Sequence, residues 1–333
     1  NYEVFRTKLA SNSMQQLTRL GGNTSFTLSP DEQKLLLNFS TNLLPNELYV
    51  ADAKPDAAVT RLTDTISAQF KQLPLQAPKI VAVPSSHGKQ PVFAKVYYPA
   101  DYQQGEKRRA VIFNHGAGYL QNSDLGWSGY FREYLFHNLL IQKGYVVLDM
   151  DYRASKGYGR DWRTAIYRQM GTPETQDLVD GVKYLVANAH VDEKRVGTYG
   201  GSYGGFMTFM ALFTEPDLFQ AGAALRPVGD WAYYNHGYTS NILNTPDVDP
   251  IAYRRSSPIY FTEGLKGKLL INAPMVDDNV FFQDTVRVVQ RLIEQENINF
   301  ETAIYPVEPH GFRQPSSWLD EYRRIHKLFE QNL

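Results

Sequence analysis

Six residues, Gly200-Gly201-Ser202-Tyr203-Gly204-Gly205, stand between an apolar run ending at Tyr199 and a second apolar run opening at Phe206. A serine framed by glycines where a strand turns into a helix makes a bend so tight that a side chain two positions to either side would strike neighbouring backbone. The bend lifts the Ser202 hydroxyl above the sheet edge, at a helix N-terminus whose free N–H groups favour developing negative charge. A phosphate-binding glycine turn is the competing reading. The segment has neither Gly-Lys-Ser/Thr nor the glycine spacing of a dinucleotide site. This turn commits the chain locally to strand then helix and nominates a nucleophile.

The surrounding sequence repeats that grammar. Apolar runs at Ile80–Val83, Val92–Tyr98, Ala110–Asn114, Tyr145–Asp151, Arg195–Tyr199, Gly222–Leu225, Lys268–Asn272 and Phe300–Tyr305 alternate with segments of helical period. Leu178, Val179, Val182, Leu185 and Val186 share a helix face after Thr172-Pro173-Glu174, where a threonine cap and a first-position proline are expected to start the helix. Val286, Val289, Leu292 and Ile293 form a second face, and Trp318, Tyr322, Ile325 and Phe329 a third, opening after Ser316-Ser317. Uninterrupted apolar strands alternating with amphipathic helices predict a mostly parallel sheet covered on both faces. Residues 1–77 read differently. Short runs at Ser25–Leu28, Lys34–Phe39 and Glu47–Ala51 are separated by turn residues and predict antiparallel β, too little for a closed sandwich or barrel. The change at Gln76-Ala77-Pro78 divides the chain into 1–77 and 78–333.

Composition removes several functions. Lys plus Arg number 34 against 35 Asp plus Glu, a net charge of −1, which leaves no field for a polyanion, so no nucleic-acid partner is expected. The absence of cysteine excludes disulfides, thiolate zinc and a cysteine nucleophile, while leaving the compartment open. No apolar run approaches the roughly 20 residues of a membrane span, and the first thirty lack a signal-peptide core, so no membrane partner is expected. No His or carboxylate cluster has metal-ligand spacing, and no cofactor is called for.

A serine hydroxyl needs a base to take its proton, and a histidine needs a carboxylate to fix its tautomer. In folds with this elbow the order is Ser, acid, His, with acid and base on loops after later strands. Three histidines follow the elbow: His236, His310 and His326. His326 falls inside the last amphipathic segment and His236 precedes the last two strands. His310, in Glu308-Pro309-His310-Gly311-Phe312, directly follows the final strand and is the best base. Asp277 and Asp278 follow the penultimate strand; Asp277 is favoured as the acid, with helix capping the better reading for Asp278 or Asp284.

Gly-Gly-Ser-Tyr-Gly-Gly-Phe (200–206), Val-Asp-Asp-Asn-Val (276–280) and His-Gly-Phe (310–312), in that order, resemble the catalytic region of the prolyl oligopeptidase family of serine peptidases, particularly its dipeptidyl-peptidase and acylaminoacyl-peptidase branches. The resemblance runs from about Lys79 to Leu333. It implies an α/β-hydrolase fold, a mostly parallel eight-stranded sheet with helices on both faces, with Ser202 as nucleophile, Asp277 as acid and His310 as base. It also likens residues 1–77 to the last blade of an N-terminal β-propeller. The chain, beginning at Asn1, is therefore expected to be the C-terminal part of a longer protein whose other blades lie upstream.

Two oxyanion donors are expected. One is the backbone N–H of Tyr203. The second belongs to the loop Asn114-His115-Gly116-Ala117-Gly118. Proline-specific relatives place a tyrosine hydroxyl at the position of His115, and acylaminoacyl-peptidase-like relatives have His-Gly here, so His115 is either a donor or a structural residue. Relatives also read His-Gly where this chain has Ala273-Pro274, a change expected to shift the acid loop and weaken the hold on His310. The segment 227–238 resembles the wall of the family's pocket for the residue before the scissile bond. Tyr234 and Tyr238 stand at matching positions, Asn279 and Val280 nearby, and Trp231 reads better as core. Flat aromatic walls suit proline or a small apolar side chain. The expectation is a serine peptidase acting on short peptides. The alternatives are a carboxylesterase with the same triad and a catalytically silent domain of a larger assembly. A homo-oligomer stays open.

Overall fold

The structure, a computed structural model, describes residues 1–102 and 106–333, which pack as two compact units. One comprises 1–79 with 123–139, the other 80–122 with 140–333.

The first unit begins with a hairpin of β1 (Phe5–Lys8) and β2 (Ser13–Gln16). Strands β3 (Asn23–Leu28), β4 (Lys34–Ser40), β5 (Glu47–Asp52) and β6 (Thr60–Arg61) then form an antiparallel sheet in sequence order. Strand β4 alternates as antiparallel sheets with one dry face do: Leu35, Leu37 and Phe39 are buried, and Lys34, Leu36 and Asn38 are exposed. Val4, Leu17, Leu35, Leu37 and Ala51 make its core. Segment 123–139 joins this unit through Trp127, whose N–H donates to Ser40 Oγ at 3.1 Å and whose ring meets Phe70 edge-on.

The second unit is built on β7 (Lys79–Val83), β8 (Val92–Tyr97), β9 (Arg108–Asn114), β10 (Val146–Met150), β11 (Val191–Gly201), β12 (Ala221–Leu225), β13 (Lys268–Pro274) and β14 (Phe300–Tyr305). They form one eight-stranded sheet in the order β14-β13-β12-β11-β9-β10-β8-β7. Pairs from β10 through β9, β11, β12 and β13 to β14 are parallel, and β10 with β8 is antiparallel. The expected α/β-hydrolase sheet is thus present. Between the strands lie α1 (Phe131–Gln142), α2 (Arg160–Arg163), α3 (Thr172–Asn188), α4 (Tyr203–Thr214), α5 (His236–Leu243), α6 (Pro250–Ser256), α7 (Phe282–Glu294) and α8 (Pro315–Asn332).

Glycines show how the layers close. A Cβ on Gly197 would meet Phe329 of α8 at 2.8 Å, and one on Gly222 would meet Leu212 of α4 at 2.6 Å. Gly222 pairs with Thr198, the neighbour of Gly197, so the two glycines point to opposite faces, α8 covering one and α4 the other. The helices start elsewhere than expected in places. Gly171, not Thr172, is the cap of α3, α8 opens at Pro315, and α7 buries Asp284, Thr285, Val288 and Leu292 while Val286 and Ile293 are exposed. The α7 face rotates because Asp284 is drawn inward by backbone donors described below. No helix among the described residues is long and apolar enough to cross a membrane.

Candidate active site

Ser202 sits between β11 and α4 with φ +60° and ψ −118°, a strained setting of the kind a tight strand-to-helix elbow imposes. The flanking glycines are obligatory. A Cβ on Gly200 or Gly204 would lie 2.3 or 2.0 Å from the carbonyl oxygen of Asn114. Tyr203 is the first residue of α4, so its N–H has no intrahelical acceptor and faces outward at the positive end of the helix.

His310 and Asp277 arrive from loops after β14 and β13. The imidazole Nε2 lies 2.9 Å from Ser202 Oγ, and Nδ1 lies 2.7 Å from Asp277 Oδ2. The second carboxylate oxygen accepts the N–H groups of Asn279 and Val280, each at 2.9 Å. Three donors converge on one buried carboxylate, which fixes both its orientation and the ring's tautomer. The expected weakening at Ala273-Pro274 is not seen at this distance. Met275 N–H donates to Tyr305 O at 3.0 Å and Val276 N–H to Glu308 O at 3.1 Å, tying the Asp277 loop to the His310 loop. Such an arrangement can take the serine proton and return it to a leaving group.

Neither Asp278 nor Asp284 caps α7. Asp278 is exposed, and Phe281 stands at the cap without a side-chain bond. Asp284 instead accepts the N–H groups of Gly229 and Asp230, both at 2.9 Å, gripping the loop after β12. Burial pushes its carboxyl up to about 6.

A cavity of about 130 Å³ adjoins Ser202, lined by Ala117, Tyr119, Tyr203, Val228, Trp231, Tyr234, Tyr238 and Asn279. That volume takes one small side chain, well below the space of drug-sized pockets. Trp231 serves both as core and as wall: it is buried, its ring lies 5.3 Å from that of Tyr234, and it stacks on Tyr238 at 6.0 Å. Tyr234 OH donates to Asn279 Oδ1 at 2.7 Å, and Tyr238 OH to Ala117 O at 3.2 Å. Val280 is buried and does not line the cavity; its part is the backbone bond to Asp277.

His115 lies outside this cavity as well. Its ring is buried and stacks on Tyr152 at 4.2 Å. Nδ1 is 3.0 Å from Gly116 O and Nε2 is 2.9 Å from Ser155 Oγ. Burial lowers its pKa, so the neutral ring donates from Nδ1 and accepts at Nε2. Both nitrogens are engaged within the scaffold, and the loop it braces presents Ala117 and Tyr119 to the cavity instead. His236 is exposed at the start of α5, and His326 lies on α8, 3.7 Å from Glu330.

The model of the prolyl oligopeptidase family of peptidases matches residues 133–333, more than half of the chain. The chain belongs to the prolyl oligopeptidase family. Within that family it is 32% identical over 248 residues to mouse dipeptidyl peptidase 8, covering 73% of this chain and 27% of that protein. A probable dipeptidyl-aminopeptidase B of Ajellomyces capsulatus is 25% identical over 330 residues, 97% of this chain and 35% of that protein. The crystal structure of dipeptidyl peptidase 4 from Porphyromonas gingivalis superposes with a TM-score of 0.89 at 26% identity, covering 99% of this chain and 46% of that one. This family member therefore spans about a quarter to a half of the length of these relatives.

Two groups that sequence reasoning passed over, one buried and one partly buried, support the site of this prolyl oligopeptidase relative. Glu174, third residue of α3, accepts the Tyr203 hydroxyl on one oxygen and the Gly171 N–H, at 2.8 Å, on the other. Burial raises the carboxyl to about 8 and holds the phenol neutral. Arg226, after β12, lies over the rings of Phe312 and Trp318 at 5.6 and 5.5 Å and 3.3 Å from buried Glu321. Phe312 is two residues past His310, so this cation pins the His310 loop. Glu174 reads locally as an ordinary capping-box acid and Arg226 as a loop arginine; neither carries a signal that adjacent residues could reveal.

Proposed function

We infer that this chain carries the catalytic centre of a serine peptidase that hydrolyses short peptides, with proline or another small apolar residue before the scissile bond. The observation that carries this reading is the continuous relay Asp277, His310, Ser202 opening on a small cavity walled by tyrosine and tryptophan. Ser202 Oγ attacks the carbonyl carbon while His310 Nε2 takes its proton; the carbonyl oxygen, now negative, is met by the Tyr203 N–H. Collapse expels the amine with the proton from His310, and water repeats the sequence on the acyl-enzyme. With the ring of His115 engaged, the second oxyanion donor is assigned to the loop 115–119. Residues 1–77 are read as one propeller blade, supported by the four-stranded antiparallel sheet, and 78–333 as the catalytic domain.

Treatment with a fluorophosphonate followed by peptide mass spectrometry tests the assignment, with a proline-linked anilide and an acyl ester assayed in parallel. Labelling at Ser202 that vanishes in Ser202→Ala, with turnover of the anilide, is the expected outcome. Turnover of the ester alone would leave an esterase, and an unlabelled chain would leave no enzyme.

A further inference from the structure

Tyr203 meets the cavity beside Ser202 as one of its lining residues, and its ring is buried among other rings. A Cβ on Gly118 would lie 2.9 Å from its Cζ, and the rings of Phe206 and Trp231 lie 5.0 and 5.7 Å away. The polar end of this side chain points away into the fold, where the hydroxyl donates to buried Glu174. Glu174 is itself firmly held. Its second oxygen accepts the Gly171 N–H at 2.8 Å, and a Cβ on Gly171, whose φ is +90°, would meet Phe206 at 2.9 Å and Met210 at 3.0 Å, so the start of α3 is seated directly on α4. Arg153 fastens the same turn, donating to Pro173 O at 2.7 Å, Gln176 Oε1 at 2.9 Å and Asp177 Oδ1 at 3.0 Å. A phenol bonded to a fixed, buried acceptor cannot slide along its own axis, whereas a ring held by apolar contacts alone moves toward any space that opens behind it.

Resting on the peptidase reading, we propose that Glu174 is a positioning residue: by holding the Tyr203 hydroxyl it fixes how far the ring stands into the cavity, and so sets the largest side chain accepted before the scissile bond. A cavity of about 130 Å³ has room for alanine or proline, and further methylenes meet a wall that is not free to yield. Glu174 acts through Tyr203 and not on the relay of Asp277, His310 and Ser202. Its signature is therefore a change in which substrates are taken, not a uniform loss of rate.

The test measures kcat/KM at pH 7 for anilides with alanine, proline or leucine before the cut, in the parent chain, E174A, E174Q and Y203F, with circular dichroism reporting the fold. At this pH the carboxyl is neutral, since burial raises it to about 8, so removing it leaves the charge near Ser202 unchanged. The parent is expected to take leucine at least about tenfold less well than alanine, the discrimination that added methylenes allow. E174A removes the acceptor and opens space behind the hydroxyl, and should raise the leucine-to-alanine ratio about tenfold. Y203F loses the hydroxyl alone and should raise it about threefold. E174Q fills the same space and keeps a carbonyl, so its ratio stays nearer the parent's than that of E174A. Should E174A not fold, Y203F, whose ring still fills its place, decides. An unchanged ratio in every variant that folds, or a parent that takes leucine as well as alanine, overturns the role of Glu174 and leaves the peptidase reading intact. A parent that turns over acyl esters and none of the anilides overturns both together.

Discussion

Replacing Glu174 by glutamine tests the buried pair behind the elbow. In the folded chain the carboxyl is protonated up to pH about 8, because burial outweighs the hydrogen bonds from Tyr203 and Gly171 that favour its charged form. In the unfolded chain it loses its proton near 4.5, the ordinary value. The folded state therefore binds one more proton than the unfolded state at every pH between these values. Its contribution to stability is full below about 4.5 and lost as pH rises toward 8, at up to about 1.4 kcal/mol per pH unit. Glutamine matches the neutral acid in charge and keeps a carbonyl oxygen to accept one of the donors, Tyr203 or Gly171, with no titration. Urea unfolding at pH 5 and pH 8, at one ionic strength, measures the consequence. At pH 5 the two chains should agree within about 1 kcal/mol. By pH 8 Glu174→Gln should have gained up to about 4 kcal/mol on its parent. Curves that run parallel across this interval would mean that the carboxyl is ionised in the fold, and the reasoning about its burial would be wrong.

Two further outcomes are expected. Asp277→Asn leaves one acceptor oxygen for three converging donors, so the ring of His310 loses its fixed tautomer; steady-state kinetics should show kcat down about 10³- to 10⁴-fold with KM little changed, and a loss under tenfold would remove Asp277 from the relay. Arg226→Gln takes the cation from beside Glu321 and off the rings of Phe312 and Trp318, which should cost about 3 kcal/mol in urea unfolding and lower kcat by loosening the base loop; a cost under about 1 kcal/mol would show that the cation does not hold that loop.

Much of the site could be read from neighbouring residues. The glycines at 200 and 204 announce an elbow because a Cβ at either would collide with the Asn114 carbonyl, a restriction written into residue type. His310 and Asp277 were legible because strand ends deliver them in a known order. The role of His115 was not, since the partner that engages its Nε2, Ser155, lies forty positions away. The α7 face was misjudged for a related reason: apolar periodicity pointed to Val286 and Ile293, whereas the inward pull on Asp284 comes from Gly229 and Asp230 on another loop.

The amino-acid order by itself determined which segments become strands and helices, where the chain must bend, and which hydroxyl, imidazole and carboxylate are on offer. These follow from steric and periodic rules that act over a few residues. Tertiary structure alone decided which polar groups lose water and who satisfies them: Glu174 under Tyr203, and Arg226 against Phe312. Burial and pairing depend on distances between residues that only the closed sheet brings together, so no local pattern can encode them.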